Sequence, residues 1–297
     1  MSIITTYPAV PSRLFSIYAA LSDCADGDLR DQLEAWSTPP SLATRGSGDE
    51  DEAESSLFIS ALQEARRLGI VDETDGRLRI VESAREGKKR KDREADFRAD
   101  LCKVLFDPVR ADQVDHGAFM LALSWFLSKN PLEPLNFSEA PQEMLRKELG
   151  ENRDKTELTN QSRYQNFLYW ARYLGFATFV GFDTGRRVFP DPTRAIAGVL
   201  PKIFGEAPLL EIESFLSALS EIFPVFEGGI ARGVLDGMRT EPFDNSDHLS
   251  IATSLALQRL ADRREIGLEA VADARGRILD FGVGTKRISR IRRGGAE

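Results

Sequence analysis

The stretch SRYQNFLYWARYLGFATFVGFDTGRRVF, residues 162–189, decides the fold of this 297-residue chain. Its first half carries apolar residues at helical spacing, and Gly175 follows them as a helix stop. Residues 176–182 are apolar enough for a strand, a glycine-containing turn comes next, and residues 186–189 form a second apolar segment. The segment therefore predicts a helix followed by a β-hairpin.

The same order of elements occurs twice more along the chain. Residues 57–81 contain a helical stripe, a stop at Gly69 and an Asp-Gly pair, which is typical of two-residue hairpin turns. Residues 250–281 repeat the order more loosely, with a turn at Gly276. Each copy is preceded by two further helical segments, which a helix and a ribbon need in order to bury their apolar faces. Such self-similarity indicates repeated modules.

The order helix, helix, helix, hairpin resembles the winged-helix family. We therefore predict a mostly α-helical chain with small β-hairpins, built as three consecutive winged-helix-like domains. The predicted parts are a first domain at residues 1–85 with an acidic insertion at 37–56, a basic linker helix at 86–108, a second domain at 109–200, a third at 205–292 and a tail at 293–297. Two alternatives stay open: two genuine modules with a helical remainder, and another helix-rich fold with occasional hairpins.

Charge restricts where nucleic acid could bind. The net charge is −8, and a negative surface repels nucleic acid unless basic residues are gathered in one place. Residues 158–190 hold four arginines and one aspartate, so this window is locally positive. Basic runs also lie at residues 85–93 and 281–297, where a solvated charged face is the simpler interpretation.

The positive window offers side chains that suit DNA. Arg pairs with guanine and Asn or Gln with adenine in a major groove, and arginines at a hairpin tip can reach phosphates. The predicted nucleic-acid-binding residues are Asn160, Gln161, Arg163, Asn166, Arg172, Arg186, Arg187, Lys286, Arg287 and Arg290. Aromatic residues of the same helix could stack on bases, but at helical spacing we predict that they are core; they are Tyr164, Tyr169, Trp170 and Tyr173.

Residues that could carry chemistry are few. His116 and His248 have no Cys or His neighbour at metal-ligand spacing, so no metal site is predicted. Neither has a setting that suggests a base for a nucleophile, and no catalytic residue is predicted. Cys24 and Cys102 are too few for a disulfide framework, which fits a reducing cytosol.

Local turn and capping signals account for the remaining polar motifs. The glycines of residues 282–284 lack the third glycine of a dinucleotide loop and predict a turn. Asp247 is predicted to cap a helix that begins at His248 or Leu249, and Asp191, between two prolines, is predicted to lie in a turn. We therefore expect no cofactor and no enzymatic activity.

Hydropathy argues against a membrane protein. The longest stretch without a charged side chain is residues 116–128, shorter than the roughly 18 apolar residues of a membrane span. The first residues show no export signal. A cytoplasmic location without a membrane partner is expected.

The Arg-x-Leu-Gly junctions, the aromatic helix at residues 164–175 and the Gly-Arg hairpins resemble those of prokaryotic defence-island proteins with several winged helices. Among these, the chain is similar to the DpdG component of clusters that place 7-deazaguanine derivatives in DNA. The resemblance implies a non-catalytic component that binds double-stranded DNA and other proteins of a DNA-modification or anti-phage system. The alternative is an acidic winged-helix scaffold for partner proteins, similar to accessory subunits of chromosome-structuring ATPase complexes.

Overall fold

The computed structural model describes residues 2–7, 9–24, 28–37, 50–81, 90–107, 117–241 and 247–295. The chain divides into two compact units, Met1–His116 and Gly117–Glu297. Their described parts are mostly helical with short strands, so the predicted class of helices with small β-hairpins is confirmed. The described residues of the second and third predicted modules both lie within Gly117–Glu297, and the division into three domains stays a prediction.

The first unit alternates helices with a small sheet. Its elements are α1 (Pro11–Leu21), β1 (Asp28–Leu29), α2 (Arg30–Ser37), α3 (Glu50–Arg67), β2 (Val71–Thr74), β3 (Arg77–Ile80) and α4 (Arg90–Leu105). The sheet is antiparallel with the order β1-β3-β2. Asp75 and Gly76 join β2 to β3 with positive φ angles, as the Asp-Gly pair predicts.

Two predicted segments of this unit take different roles in the structure. The final part of the predicted acidic insertion is helical from Glu50 onward. Residues 38–49 of the insertion lie outside the described residues. The predicted basic linker helix is α4, whose Phe97 ring lies 5.7 Å from Phe15 and 4.9 Å from Tyr18 of α1. This helix therefore contributes to the core of the first unit.

The second unit is larger. Its elements are α5 (Gly117–Leu127), β4 (Leu135–Asn136), α6 (Gln142–Leu149), a 3-10 segment (Gly150–Thr156), α7 (Gln161–Leu174), β5 (Ala177–Val180), a 3-10 turn (Asp183–Gly185), β6 (Arg187–Pro190), α8 (Thr193–Phe204), β7 (Leu209–Glu211), α9 (Ile212–Ile222), α10 (Ile230–Gly237), β8 (His248–Leu249), α11 (Ile251–Asp262), β9 (Ile266–Glu269), β10 (Arg277–Asp280), β11 (Thr285–Ile288) and β12 (Arg290–Arg293).

The elements from α5 to β6 repeat the order of the first unit: helix, strand, helix, helix, strand, strand. Their sheet has the order β4-β6-β5, in which the last strand lies in the middle, as it does in β1-β3-β2. The core beneath this sheet is aromatic. The Phe167 ring of α7 lies 5.9 Å from Phe119 and 5.8 Å from Phe126, both on α5, and all three rings are buried.

The third predicted hairpin is wrong. β9 and β10 do not pair with each other: β9 pairs with β12, and β10 pairs with β11 and, in parallel, with β8. The chain after Phe281, which carries a basic run and is predicted to belong to the third module up to residue 292, supplies two of these strands. Buried Ile288 and Ile291 hold them in the core, so their apolar side chains decide the pairing, whereas Arg287, Arg292 and Arg293 are exposed.

The predicted cap of the third helix is also wrong. His248 and Leu249 are extended and pair with β10, so α11 begins later than the sequence indicates. Ser250 caps it: its Oγ accepts a hydrogen bond of 3.3 Å from the backbone N–H of Thr253. Asp247 instead accepts a backbone bond from Ile278 through its carbonyl oxygen.

No helix in the described part of the chain is both long and apolar enough to cross a membrane.

The end of α7 provides a test of this packing. Gly175 has a φ of 93°, and a Cβ there would lie 3.0 Å from the backbone nitrogen of Ala195. We expect Gly175→Ala to lower the free energy of unfolding by about 1–3 kcal/mol, because the left-handed backbone and the close approach both disfavour a side chain. Urea unfolding followed by tryptophan fluorescence measures the change.

Gly198 within α8 is the matched control, since nothing lies within 4 Å of a Cβ built there. Gly198→Ala should leave stability unchanged or raise it by about 0.5–1 kcal/mol, as alanine favours helix. Equal effects of the two substitutions would contradict this account of Gly175.

Candidate nucleic-acid interface

The helix α7 is fixed at both ends, and its rotation is set by its buried face. The backbone N–H of Arg163 donates a 2.9 Å hydrogen bond to the cap residue Asn160, and Gly175 closes the other end. Tyr164, Phe167 and Trp170 are fully buried, as the core interpretation of the aromatic stripe predicts for Tyr164 and Trp170. The opposite face of α7 is therefore held toward solvent.

Tyr169 departs from the core prediction, because 40% of its surface is exposed. Its ring lies 5.7 Å from Phe137, in the segment after β4, and 6.4 Å from Phe179 of β5. Phe137 and Phe179 are 5.4 Å apart in an edge-on arrangement. Three elements thus bring three rings together beside the exposed face of α7.

Two arginines lie over these rings. The Arg172 Cζ is 4.9 Å from the Phe179 centroid, and the Arg186 Cζ is 4.7 Å from the Phe137 centroid. We call Phe137, Tyr169, Arg172, Phe179 and Arg186 the arginine–aromatic surface. A cation–π contact orients a guanidinium without neutralising its charge.

The arginines of this surface, and Arg187 next to it on β6, have no carboxylate partner among the described residues. Within residues 117–241 and 247–295, and in the other described segments, Arg172, Arg186 and Arg187 form no ion pair. Arg187 is exposed on β6, directly opposite Val180 in the sheet. Three positive charges are therefore available to an anionic ligand on one helix and one hairpin.

The other predicted residues of α7 are placed unequally. Gln161 is exposed in the first turn, and Asn160 is exposed but uses its side-chain oxygen for capping. Arg163 is half-buried and donates to Thr159 Oγ1 over 3.3 Å. Asn166 is only 2% exposed, so its prediction as a DNA contact is wrong: its position on the helix turns it into the core.

The predicted residues near the C-terminus are mostly engaged within the protein. Arg290 forms an ion pair of 2.7 Å with Glu211 of β7. Arg287 donates to the backbone oxygens of Val271, at 3.2 Å, and Ala272, at 3.4 Å. Lys286 is exposed on β11. Lys286 and Arg287 lie on the sheet β11-β10-β8 and Arg290 on the sheet β7-β12-β9, both distinct from the sheet of the arginine–aromatic surface.

Sequence reasoning did not identify Phe137 or Phe179 as site residues. The alternation of side chains along β5 could have placed Phe179 on the face of the sheet nearer α7, since its neighbours Thr178 and Val180 are exposed on the other face. No local signal marks Phe137, because its contact with Arg186 joins segments about 50 residues apart along the chain.

The environments of the reactive side chains that the structure describes are typical of residues that serve the fold rather than catalysis. Burial raises the pKa of the Cys102 thiol to about 12, and the charge of Arg98 offsets this only in part. The described residues contain no group of three or more His, Cys, Asp or Glu side chains placed to hold a metal ion. His248 lies in β8, and His116 lies outside the described residues.

Asp191 anchors the turn between β6 and α8, as its local sequence predicts. It accepts hydrogen bonds from the backbone of Thr193 at 3.3 Å and from Thr178 Oγ1 at 3.1 Å, and it pairs with Arg259 at 2.8 Å. Burial alone would raise the pKa of Asp191, but the hydrogen bonds from Thr193 and the charge of Arg259 hold it below its usual value.

Comparison with known proteins gives one family. A family model described as DpdG-like matches residues 1–274, a span that reaches into both compact units. No curated protein and no solved structure matches the chain.

The anchoring role of Asp191 predicts a pH dependence. A carboxyl group whose pKa falls on folding stabilises the protein above its unfolded pKa, and this stabilisation is lost as the pH falls through the folded pKa. We expect Asp191→Asn to lower the free energy of unfolding by about 1–3 kcal/mol at pH 7, and by progressively less below about pH 4. Urea titrations at neutral and acidic pH measure the difference.

Asp183 is the matched control, because it is exposed and its positive φ of 48° suits asparagine equally well. Asp183→Asn should change stability by less than about 0.5 kcal/mol at either pH. If the effect of Asp191→Asn did not vary with pH, the charge of this carboxylate would have no part in stability.

Proposed function

Because the chain belongs to the DpdG-like family over residues 1–274, we propose that it is a non-catalytic DNA-binding component of a prokaryotic system that modifies DNA in defence against phage. The membership confirms the resemblance drawn from the sequence. It indicates a role in DpdG-type DNA-modification clusters and membership of a multi-protein system. Within such a system, we propose that this chain binds DNA and performs no catalysis.

The arginine–aromatic surface is the observation that carries the proposal. It lies on the α5-β4-α6-α7-β5-β6 part of the chain, which we interpret as a winged-helix module in which α7 is the recognition helix and the β5–β6 hairpin is the wing. Gln161 and Arg172 then face base edges in a major groove. Arg186 and Arg187 contact the phosphates beside it.

Electrostatics favours this surface over others on an acidic chain. The net charge of −8 opposes approach of DNA in general, whereas residues 158–190 carry four arginines and one aspartate. Arg172 and Arg186 need not break an ion pair to reach phosphate, since they lie on aromatic rings. Arg290 and Arg292 would first have to leave Glu211 and Glu269.

The non-catalytic part of the proposal rests on the chemistry of the candidate groups. Cys102, half-buried and with a raised pKa, stays a protonated thiol near neutral pH. Asp191 is occupied by two hydroxyl groups, a backbone N–H and a guanidinium, which suits anchoring rather than proton transfer.

A second candidate function is an acidic scaffold for partner proteins. The internal pairing of Arg277 with Glu213 and of Arg290 with Glu211 favours it for the α9 to β12 part of the second unit, where the cations are used within the fold. Contacts that depend on apolar surface should respond weakly to salt, whereas phosphate contacts respond strongly.

The DNA-binding proposal predicts a loss of affinity when the three unpaired cations are removed. Arg172→Ala, Arg186→Ala and Arg187→Ala together should weaken binding of a double-stranded oligonucleotide by at least about tenfold at moderate salt. The slope of log K against log salt should fall by about 2 to 3, because each phosphate contact contributes about 0.9. Fluorescence anisotropy titrations at several salt concentrations measure both quantities.

Three exposed lysines of the same unit provide a control with the same change of charge: Lys147, Lys155 and Lys202. Their combined replacement by Ala should change the affinity by less than about threefold, through the long-range field alone. Equal losses in both triple variants would show that only net charge matters. Binding of a partner protein by the unaltered chain that does not weaken as the salt concentration rises would favour the scaffold.

A further inference from the structure

The turn between β5 and β6 presents the most exposed aromatic side chain of its hairpin. Phe182 is 84% exposed at this tip, and its ring makes no aromatic contact within the described residues. We propose that Phe182 is a wedge that stacks on a DNA base at a locally opened step. The inference rests on the proposed DNA-binding function and deepens it by naming the form of DNA that is preferred.

The backbone of the turn holds Phe182 away from the protein. The N–H of Gly185 donates to the carbonyl of Phe182 at 3.1 Å, and the N–H of Arg186 donates to Asp183 at 3.2 Å. Gly181 has a φ of 86°, and a Cβ there would lie 2.9 Å from the carbonyl oxygen of Gly185. The turn is therefore tightly closed, and the ring is presented from a defined backbone instead of a loose loop.

The neighbours of the ring match the chemistry of a nucleic-acid strand. Val180, the last residue of β5 and two residues before Phe182, is 55% exposed and adds apolar surface at this end of the hairpin. Arg187 lies directly opposite Val180 in the sheet, and Arg186 follows the turn. An exposed ring at the tip of a hairpin whose returning arm begins with two arginines suits a base and its neighbouring phosphates. Asp183 is the one acidic residue of residues 158–190, so the tip remains positive on balance.

The preferred form of DNA follows from the cost of opening a base step. In a fully paired duplex each base already stacks on its neighbours, and an inserted side chain must first separate them. That cost is smallest where a base is mismatched, damaged or unpaired. The structure therefore assigns to Phe182 a preference for duplexes that contain such a step over duplexes that are fully paired.

The test uses the full chain and two duplexes of about 20 base pairs, one fully paired and one with a central unpaired adenine analogue, 2-aminopurine. We expect the unaltered chain to bind the second duplex about tenfold more tightly, a range typical of one stacked base. We also expect 2-aminopurine fluorescence to change when the base leaves its neighbours for Phe182. Phe182→Ala should lose both effects while it binds the paired duplex within about twofold of the unaltered chain.

Val283 is the matched control, because it is an apolar residue, 90% exposed, at the turn between β10 and β11. Val283→Ala should keep the preference and the fluorescence change, and Phe182→Trp should keep them as well, since indole also stacks. If the chain binds both duplexes equally, or Phe182→Ala keeps the preference, the wedge is refuted while DNA binding stands. If neither duplex binds, the proposed function fails together with the wedge; an exposed Phe182 would then fit a protein partner.

Discussion

The packing of Phe167 between Phe119 and Phe126 determines what the second unit can present to a ligand. These rings lie 5.9 and 5.8 Å from Phe167 and fix the rotation of α7 against α5. Because side chains of a helix repeat every 3.6 residues, burial of Phe167 and Trp170 directs Tyr169 and Arg172 outward. The arginine–aromatic surface is thus a consequence of core packing on the other side of the same helix.

Arginine has two different roles in this unit, and the neighbour of each guanidinium decides which. Arg172 and Arg186 lie on phenylalanine rings, which restrict their motion and leave their charge available. Arg290 and Arg292 lie beside glutamates of adjacent strands, and their charge is largely cancelled there. Counting basic residues along the sequence cannot separate these two roles, because the partners come from distant segments.

Local signals predicted the elements well and their pairing less well. The apolar stripe and Gly175 located α7, and the Asp-Gly pair located the β2–β3 turn, because each depends on neighbouring residues alone. Pairing of β9 with β12 depends on Ile291, about 25 residues away, and no local pattern distinguishes it from a β9–β10 hairpin. For the candidate site, the sequence predicted helix α7 and the arginines of the hairpin. It predicted an exposed Asn166 and a buried Tyr169, whereas Asn166 is buried and Tyr169 is exposed. A small error in helical phase is enough to move a residue from the surface to the core.

An acidic chain with one compact positive surface has a physical advantage as part of a larger assembly. Under the proposed function, repulsion from the remaining surface disfavours nonspecific contact with DNA, and productive encounters are those in which the arginine–aromatic surface faces the duplex. Binding through one helix and one hairpin also leaves the first unit and the α9 to β12 sheets without a required role at the DNA. In a multi-protein system such as the family implies, those parts are the ones left, under the proposed function, to contact other proteins. On this view the charge asymmetry within the sequence separates the DNA-facing part of the chain from its protein-facing parts.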